Sequence, residues 1–262
     1  YEGLGDIYFL TGDLAEAIEH YNVLVISDTP NLAPQDRAGI WVKIGRVHQK
    51  RAEYNEALAC FNLANSFAQT EKDWDINAKI KVAKAGIFYQ QTLYREALAE
   101  LKDVFDKGGV DKDYIGEAYA VAGAVYGKLG DFDKAMECYN QAMVVYEKID
   151  SLFHIARINN NIGTIWFLKG DNEQALKYFE LSLDFYDRIG DILDKGTLLN
   201  NIGSIYISMC YWDRALKYFT ESLPILTRID NRQLASYVLC NIGTALLRKG
   251  LLDEARQDFE KA

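Results

Sequence analysis

The chain has 262 residues, 49% of them hydrophobic, with only 3 prolines, so it can bury a sizeable core and does not read as a disordered segment. A formal net charge of -9 argues against gripping nucleic acid through its phosphates. No apolar run approaches the ~20 residues that span a bilayer.

In chain order the predicted elements are helix pairs. The first, over about 1–35, has a small residue, Gly5, and then Tyr8 on its first helix, with Ala17 and Tyr21 on its second. The same four marks return as Gly45, His48, Ala57 and Phe61 over 36–76, and as Ala85, Phe88, Ala97 and Leu101 over 77–113. They continue as Gly123, Tyr126, Ala135 and Tyr139 over 114–153, and as Gly163, Trp166, Ala175 and Phe179 over 154–193. Gly203, Tyr206, Ala215 and Phe219 mark 194–233, and Gly243, Leu246, Ala255 and Phe259 mark 234–262. The period is 40 residues, except for one step of 38 at Gly108-Gly109, which is expected to shorten the helix after Ala97. Residues three and four apart share a helix face, so the small residue lets two helices close together and the aromatic fills the space beside them. Turns such as Leu129-Gly130-Asp131 and Lys169-Gly170-Asp171-Asn172 combine a glycine that stops one helix with an Asp or Asn that caps the next. Glu16, Glu56 and Glu96 stand where second helices begin and suit the helix dipole. Pro224 falls inside a second helix and is expected to kink it. One pair cannot bury its apolar face alone, so neighbours must stack.

Little points to chemistry. His48 holds an aromatic position of its repeat, and His20 and His154 have no Cys or His at ligand spacing. There is no phosphate loop, nucleophile elbow or zinc-protease motif. No catalytic residue, cofactor or metal is therefore expected. Cys60, Cys138, Cys210 and Cys240 form no C-x-x-C pair and read as reduced, small apolar fillers in a cytoplasmic protein. One pattern does stand out. Asn161, Asn201 and Asn241 each lie two residues before the anchor glycine, and Asn160 and Asn200 precede two of them. Asparagine is a mediocre helix former, so something must offset its cost in mid-helix. Either the amides meet the backbone of an extended ligand or they brace neighbouring repeats, the second being the expected role of Asn160 and Asn200. The earlier repeats lack this ladder. There, Lys43, Arg46 and Lys50 run along one helix as a basic strip, either a solvated face or a clamp for an acidic segment or a terminal carboxylate.

With these residues in place the chain resembles the tetratricopeptide repeat family. The family pattern is met by Tyr1, Leu4, Gly5, Tyr8, Ala17 and Tyr21, and again by Trp41, Ile44, Gly45, Ala57 and Phe61. The period of 40 exceeds the family's usual ~34 and the usual closing proline is missing, which implies longer second helices such as 175–189 and 215–229. In period and Asn pattern the chain is similar to kinesin light chains, spindle-orientation adaptors and bacterial peptide-pheromone receptors. The resemblance implies an all-α, right-handed superhelical solenoid forming a single array over 1–262, with the first helices lining a concave groove. It implies that Asn161, Asn201 and Asn241 face a ligand, within a polar and basic lining that includes Arg157, Thr164, Ser204, Thr244 and Arg248.

The expected function is a protein- or peptide-binding scaffold, serving as a sensor or regulatory arm of a larger signalling protein. The partner is then a protein or peptide, or another domain of the same chain, and neither nucleic acid nor membrane. The chain opens within a helix and stops without a polar capping helix, so it is expected to be cut from a longer array or to meet a partner at its ends. An architectural segment that self-associates through those uncapped ends is the alternative.

Overall fold

Every predicted pair forms. The computed structural model describes residues 1–11, 13–26, 32–68, 74–107, 112–190, 192–228 and 232–261. Among them fourteen helices follow one another with no strand. They are α1 (Glu2–Thr11), α2 (Leu14–Ile26), α3 (Pro34–Lys50), α4 (Tyr54–Phe67), α5 (Trp74–Gln90), α6 (Tyr94–Lys107), α7 (Lys112–Leu129), α8 (Phe132–Lys148), α9 (Leu152–Leu168), α10 (Asn172–Ile189), α11 (Ile192–Ser208), α12 (Trp212–Arg228), α13 (Arg232–Lys249) and α14 (Leu252–Lys261). Odd-numbered helices open the repeats and even-numbered helices close them, which makes the fold an all-α solenoid. The chain divides into two compact units, Tyr1–Gly130 and Asp131–Ala262. Within each unit consecutive helices pack on one another, and first helices also meet: α3 with α5 and α5 with α7 in one, α9 with α11 and α11 with α13 in the other.

The anchor glycines explain how closely the two helices of a pair approach. A Cβ added to Gly163 or Gly203 would lie 2.5 Å from a ring carbon of Phe179 or Phe219, well inside van der Waals contact. Gly5 meets Tyr21, Gly45 meets Phe61 and Gly243 meets Phe259 in the same way. The two marks read from sequence are thus the two halves of one contact, a ring seated on bare backbone. Phe61, Phe179 and Phe219 are fully buried there, beside the repeat alanines Ala57, Ala175 and Ala215. Such packing is felt to the single methyl group.

The turns share one shape with two chemistries. Gly130, Gly170 and Gly250 adopt left-handed φ values near +80°. At the matching place in other repeats Ala52, Thr92 and Cys210 are forced to φ of 59°, 61° and 60°, which side chains resist. Asp131 and Asp171 then cap α8 and α10 by accepting from the backbone N–H of Lys134 and Gln174.

Among the described residues the expected lengthening is seen in α8, α10 and α12. Second helices α8, α10 and α12 have 17, 18 and 17 residues, against 13, 14 and 14 in α2, α4 and α6. α6 is described as far as Lys107, and Gly108-Gly109, where the shortening was expected, lies outside the described residues. α12 runs on through Pro224 and is not ended by it. Buried serines fix the longer pairs: Ser182 donates to the Ala156 carbonyl and Ser222 to that of Gly196. No described helix is long and apolar enough to cross a membrane.

Candidate binding surfaces

Within the second unit the three opening helices α9, α11 and α13 carry the asparagines, and their amides join helix to helix. Asn201 donates from Nδ2 to Asn160 Oδ1 at 3.2 Å, and Asn241 donates to Asn200 Oδ1 at the same distance. The doublet residues therefore brace, as expected, but their partners are the ladder residues themselves. One bond does not exhaust an amide. Asn201 and Asn241 each keep a carbonyl oxygen and a second N–H, and all three ladder residues are half-buried. Asn161 has no hydrogen bond to another described residue.

One turn along, the hydroxyls are committed in a uniform way. Thr164, Ser204 and Thr244 donate to the carbonyls of Asn160, Asn200 and Cys240, four residues back. Their protons are used, so they offer only acceptor lone pairs. Arg157 is exposed, with its guanidinium 5.6 Å from the Phe153 ring centroid, and Arg248 is exposed near the end of α13. These residues of α9, α11 and α13 offer amide donors and acceptors, hydroxyl acceptors and two exposed cations.

The basic strip of the first unit is partnered. Lys43 bonds both oxygens of Asp6 at 2.7 Å and Glu2 at 2.8 Å, while Arg46 meets Glu117 at 3.0 Å. Lys50 lies 4.1 Å from the Phe9 ring centroid. The Tyr21 hydroxyl also donates to Asp6 at 2.6 Å. Burial works to raise the Asp6 pKa, but the bonds from Lys43 and Tyr21 outweigh it and hold the carboxyl below its usual value. Burial likewise opposes charge on Lys43, and the two carboxylates outweigh it and raise its pKa. Burial, then the hydrogen bond to Asp6 and its charge, push the Tyr21 phenol upward.

A cavity of about 150 Å³ opens beside these groups, lined by Asp6, Phe9, Tyr21, Lys43, Arg46 and Lys79. Lys79, on α5, was not singled out in the sequence. It stands six residues before the repeat's small anchor, the register held by Glu117 and Arg157 in later repeats. Only the packing of α5 beside α3 brings it to Arg46 and Lys43. Burial, followed by those two charges, lowers its pKa.

The three histidines are engaged structurally. His48 meets Glu53 at 2.6 Å, His20 stacks on Tyr8, and His154 stacks on Tyr146 and bonds the Ser151 hydroxyl. No group of three or more potential metal ligands occurs among the described residues. All four cysteines are free. Cys60 is buried and Cys138 half-buried, and burial pushes each thiol up to about 11. Cys210 and Cys240 are exposed, which corrects the expectation that all four fill apolar space: the first sits in a turn and the second on the solvent side of α13.

Two sequence models described as tetratricopeptide repeat match the chain, one over residues 114–188, 154–228 and 194–262 and the other over 1–22. No curated protein matches by sequence. Among solved structures, the Rap conjugation gene regulator of plasmid pLS20 in complex with the Phr* peptide is similar at a TM-score of 0.77 and 18% identity, over 98% of this chain and 70% of that one. NprR in complex with its cognate peptide NprX gives 0.69 and 18%, over 98% and 76%. A signal transduction ATPase with a tetratricopeptide repeat sensor, from Pyrococcus horikoshii, gives 0.67 and 20%, over 95% of this chain and 38% of that one. At these identities the likeness is one of fold.

Proposed function

Since the chain belongs to the tetratricopeptide repeat family, we propose that it is a scaffold that binds an extended peptide or protein segment along the wall built by α9, α11 and α13. The observation that carries this is the amide ladder, three helices long, whose residues remain half-buried with donors and acceptors to spare. Packed helices lie ~10 Å apart and an extended chain rises ~3.3 Å per residue, so one rung meets about every third ligand residue. Backbone pairing of this kind accepts many sequences, and Arg157 and Arg248 add a preference for acidic ends. Two similar structures hold peptides, as their names state, which is in keeping with the proposal. The further role is that of a sensor or regulatory arm of a larger protein, in keeping with the Pyrococcus horikoshii ATPase, whose name gives its tetratricopeptide repeats as a sensor.

The test separates bracing from contact. The Asn161 side chain makes no hydrogen bond to another described residue, so on this reading Asn161→Ala removes a ligand contact without removing a brace. Peptides selected from a displayed library against the whole chain should bind Asn161→Ala about tenfold more weakly with an unchanged melting temperature. Equal binding by Asn161→Ala and by the Asn161→Ala, Asn201→Ala pair returns the ladder to bracing alone.

A further inference from the structure

We infer that the segment taken up by α9, α11 and α13 is a left-handed polyproline II helix, met at every third residue, and not a β-strand; this rests on the reading of the amide ladder as a peptide site. Two joined amide pairs make the same demand on a ligand. In each, Nδ2 of the later residue donates to Oδ1 of a doublet asparagine on the preceding opening helix, at 3.2 Å: Asn201 to Asn160, and Asn241 to Asn200. Each pair keeps the later residue's Oδ1 as an acceptor and N–H groups on both residues as donors, all on half-buried side chains. The hydroxyls of Thr164, Ser204 and Thr244 recur with them, each with its proton spent on a carbonyl four residues back. Whatever one junction offers a backbone, the next offers again with the same donors and acceptors.

A ligand backbone must then present like groups at the spacing of the opening helices, and packed helices lie ~8–10 Å apart. In a β-strand the groups on one side recur every second residue, about 6.6 Å on, or about 13 Å on after two such steps, and a residue three places away faces the opposite side. Neither step fits the helix spacing. Polyproline II turns once in about three residues and rises ~3.1 Å per residue, so the same face returns after about 9.3 Å. It also has no internal hydrogen bonds, which leaves its N–H and C=O groups for the amides. Asn161, at the same register of α9, adds a third rung, so the rungs fall on ligand residues three apart. A rung residue must keep its N–H and cannot be proline. Proline at the two places between holds its own φ near the required value and biases the residue before it toward the same conformation. The fitting partner is a proline-rich segment whose non-proline residues recur every third place.

The test is an amide NMR titration of the whole chain with three blocked, uncharged peptides of equal length, APPAPPAPPA, APAPAPAPAP and AGGAGGAGGA. The first two favour polyproline II, but only the first has an N–H at every third place. The last has every N–H and no preferred shape. Shifts centred on α9, α11 and α13 are expected, with APPAPPAPPA binding about tenfold more tightly than either of the others, because its shape is set in advance and its donors are in step. Asn161→Ala should weaken APPAPPAPPA about fivefold. Equal binding of APPAPPAPPA and APAPAPAPAP would show that the three-residue step is not read. Binding of AGGAGGAGGA as tight as that of APPAPPAPPA would show that the helices take another backbone shape. Either result overturns this inference and leaves the ladder as a peptide site. Shifts from none of the three, or shifts centred elsewhere, also overturn it, and the ladder is then judged by the library peptides and Asn161→Ala alone.

Discussion

Gly203 and Phe219 show how much one methyl group decides. The ring lies where a Cβ would be, so Gly203→Ala must displace it and should cost about 1–3 kcal/mol in chemical denaturation. The third repeat has the complementary solution, Ala85 with Leu101 in place of glycine with an aromatic. Combining Gly203→Ala with Phe219→Leu should therefore cost less than the sum of the two single changes, a coupling that a double-mutant cycle measures directly. Simple additivity would mean the contact is not the constraint. Asp6 gives a pH prediction. Its folded pKa lies below the ordinary aspartate value of 3.8, so the stability it adds is present above that value and is lost as the pH falls through the folded pKa. Lys43 is shifted the other way, so the same pair is intact below pH 10.5 and fails only above it. With side-chain exposures of 44% and 25%, the pair is worth less than about 1 kcal/mol. Asp6→Asn should remove the acid step below pH 3.8 from melting curves without altering those recorded near neutrality by more than that amount.

At the scale of the element, the turns are where the chain is strained. A left-handed conformation costs a side chain roughly 1–2 kcal/mol, more for a β-branched one. Thr92→Gly and Cys210→Gly should each stabilise the fold by up to about 1 kcal/mol, while Gly170→Ala should destabilise it by a similar amount. The opposite sign at Thr92 would mean that its hydroxyl supplies something the backbone geometry does not reveal. The caps can be checked in the same experiment: Asp171→Ala removes the acceptor for the Gln174 N–H and should cost ~1 kcal/mol.

For the whole molecule, contacts run between neighbouring helices, so stability is a sum of local terms and damage spreads only to adjacent repeats. Hydrogen exchange on Gly203→Ala should accelerate in α11 and α12 and, more weakly, in α10 and α13, with α3 to α5 unchanged. Uniform acceleration across both units would mean that the array unfolds as one body.

Sequence alone determined the helix pairs, their phase and the all-α solenoid, because the burial of small and aromatic residues recurs with the period of the structure itself. It also marked Asn161, Asn201 and Asn241 and foresaw the bracing role of Asn160 and Asn200, since repetition exposes any polar residue that returns at one register. It could not tell that Thr164, Ser204 and Thr244 would turn their protons inward, nor that Lys43 and Arg46 would find Asp6 and Glu117. Those pairings join residues 37 and 71 positions apart, and their distances follow from how helices of different repeats pack. Lys79 is the clearest case: its position within its own repeat carries no signal, and only the approach of α5 to α3 gives it neighbours, a cavity and a lowered pKa.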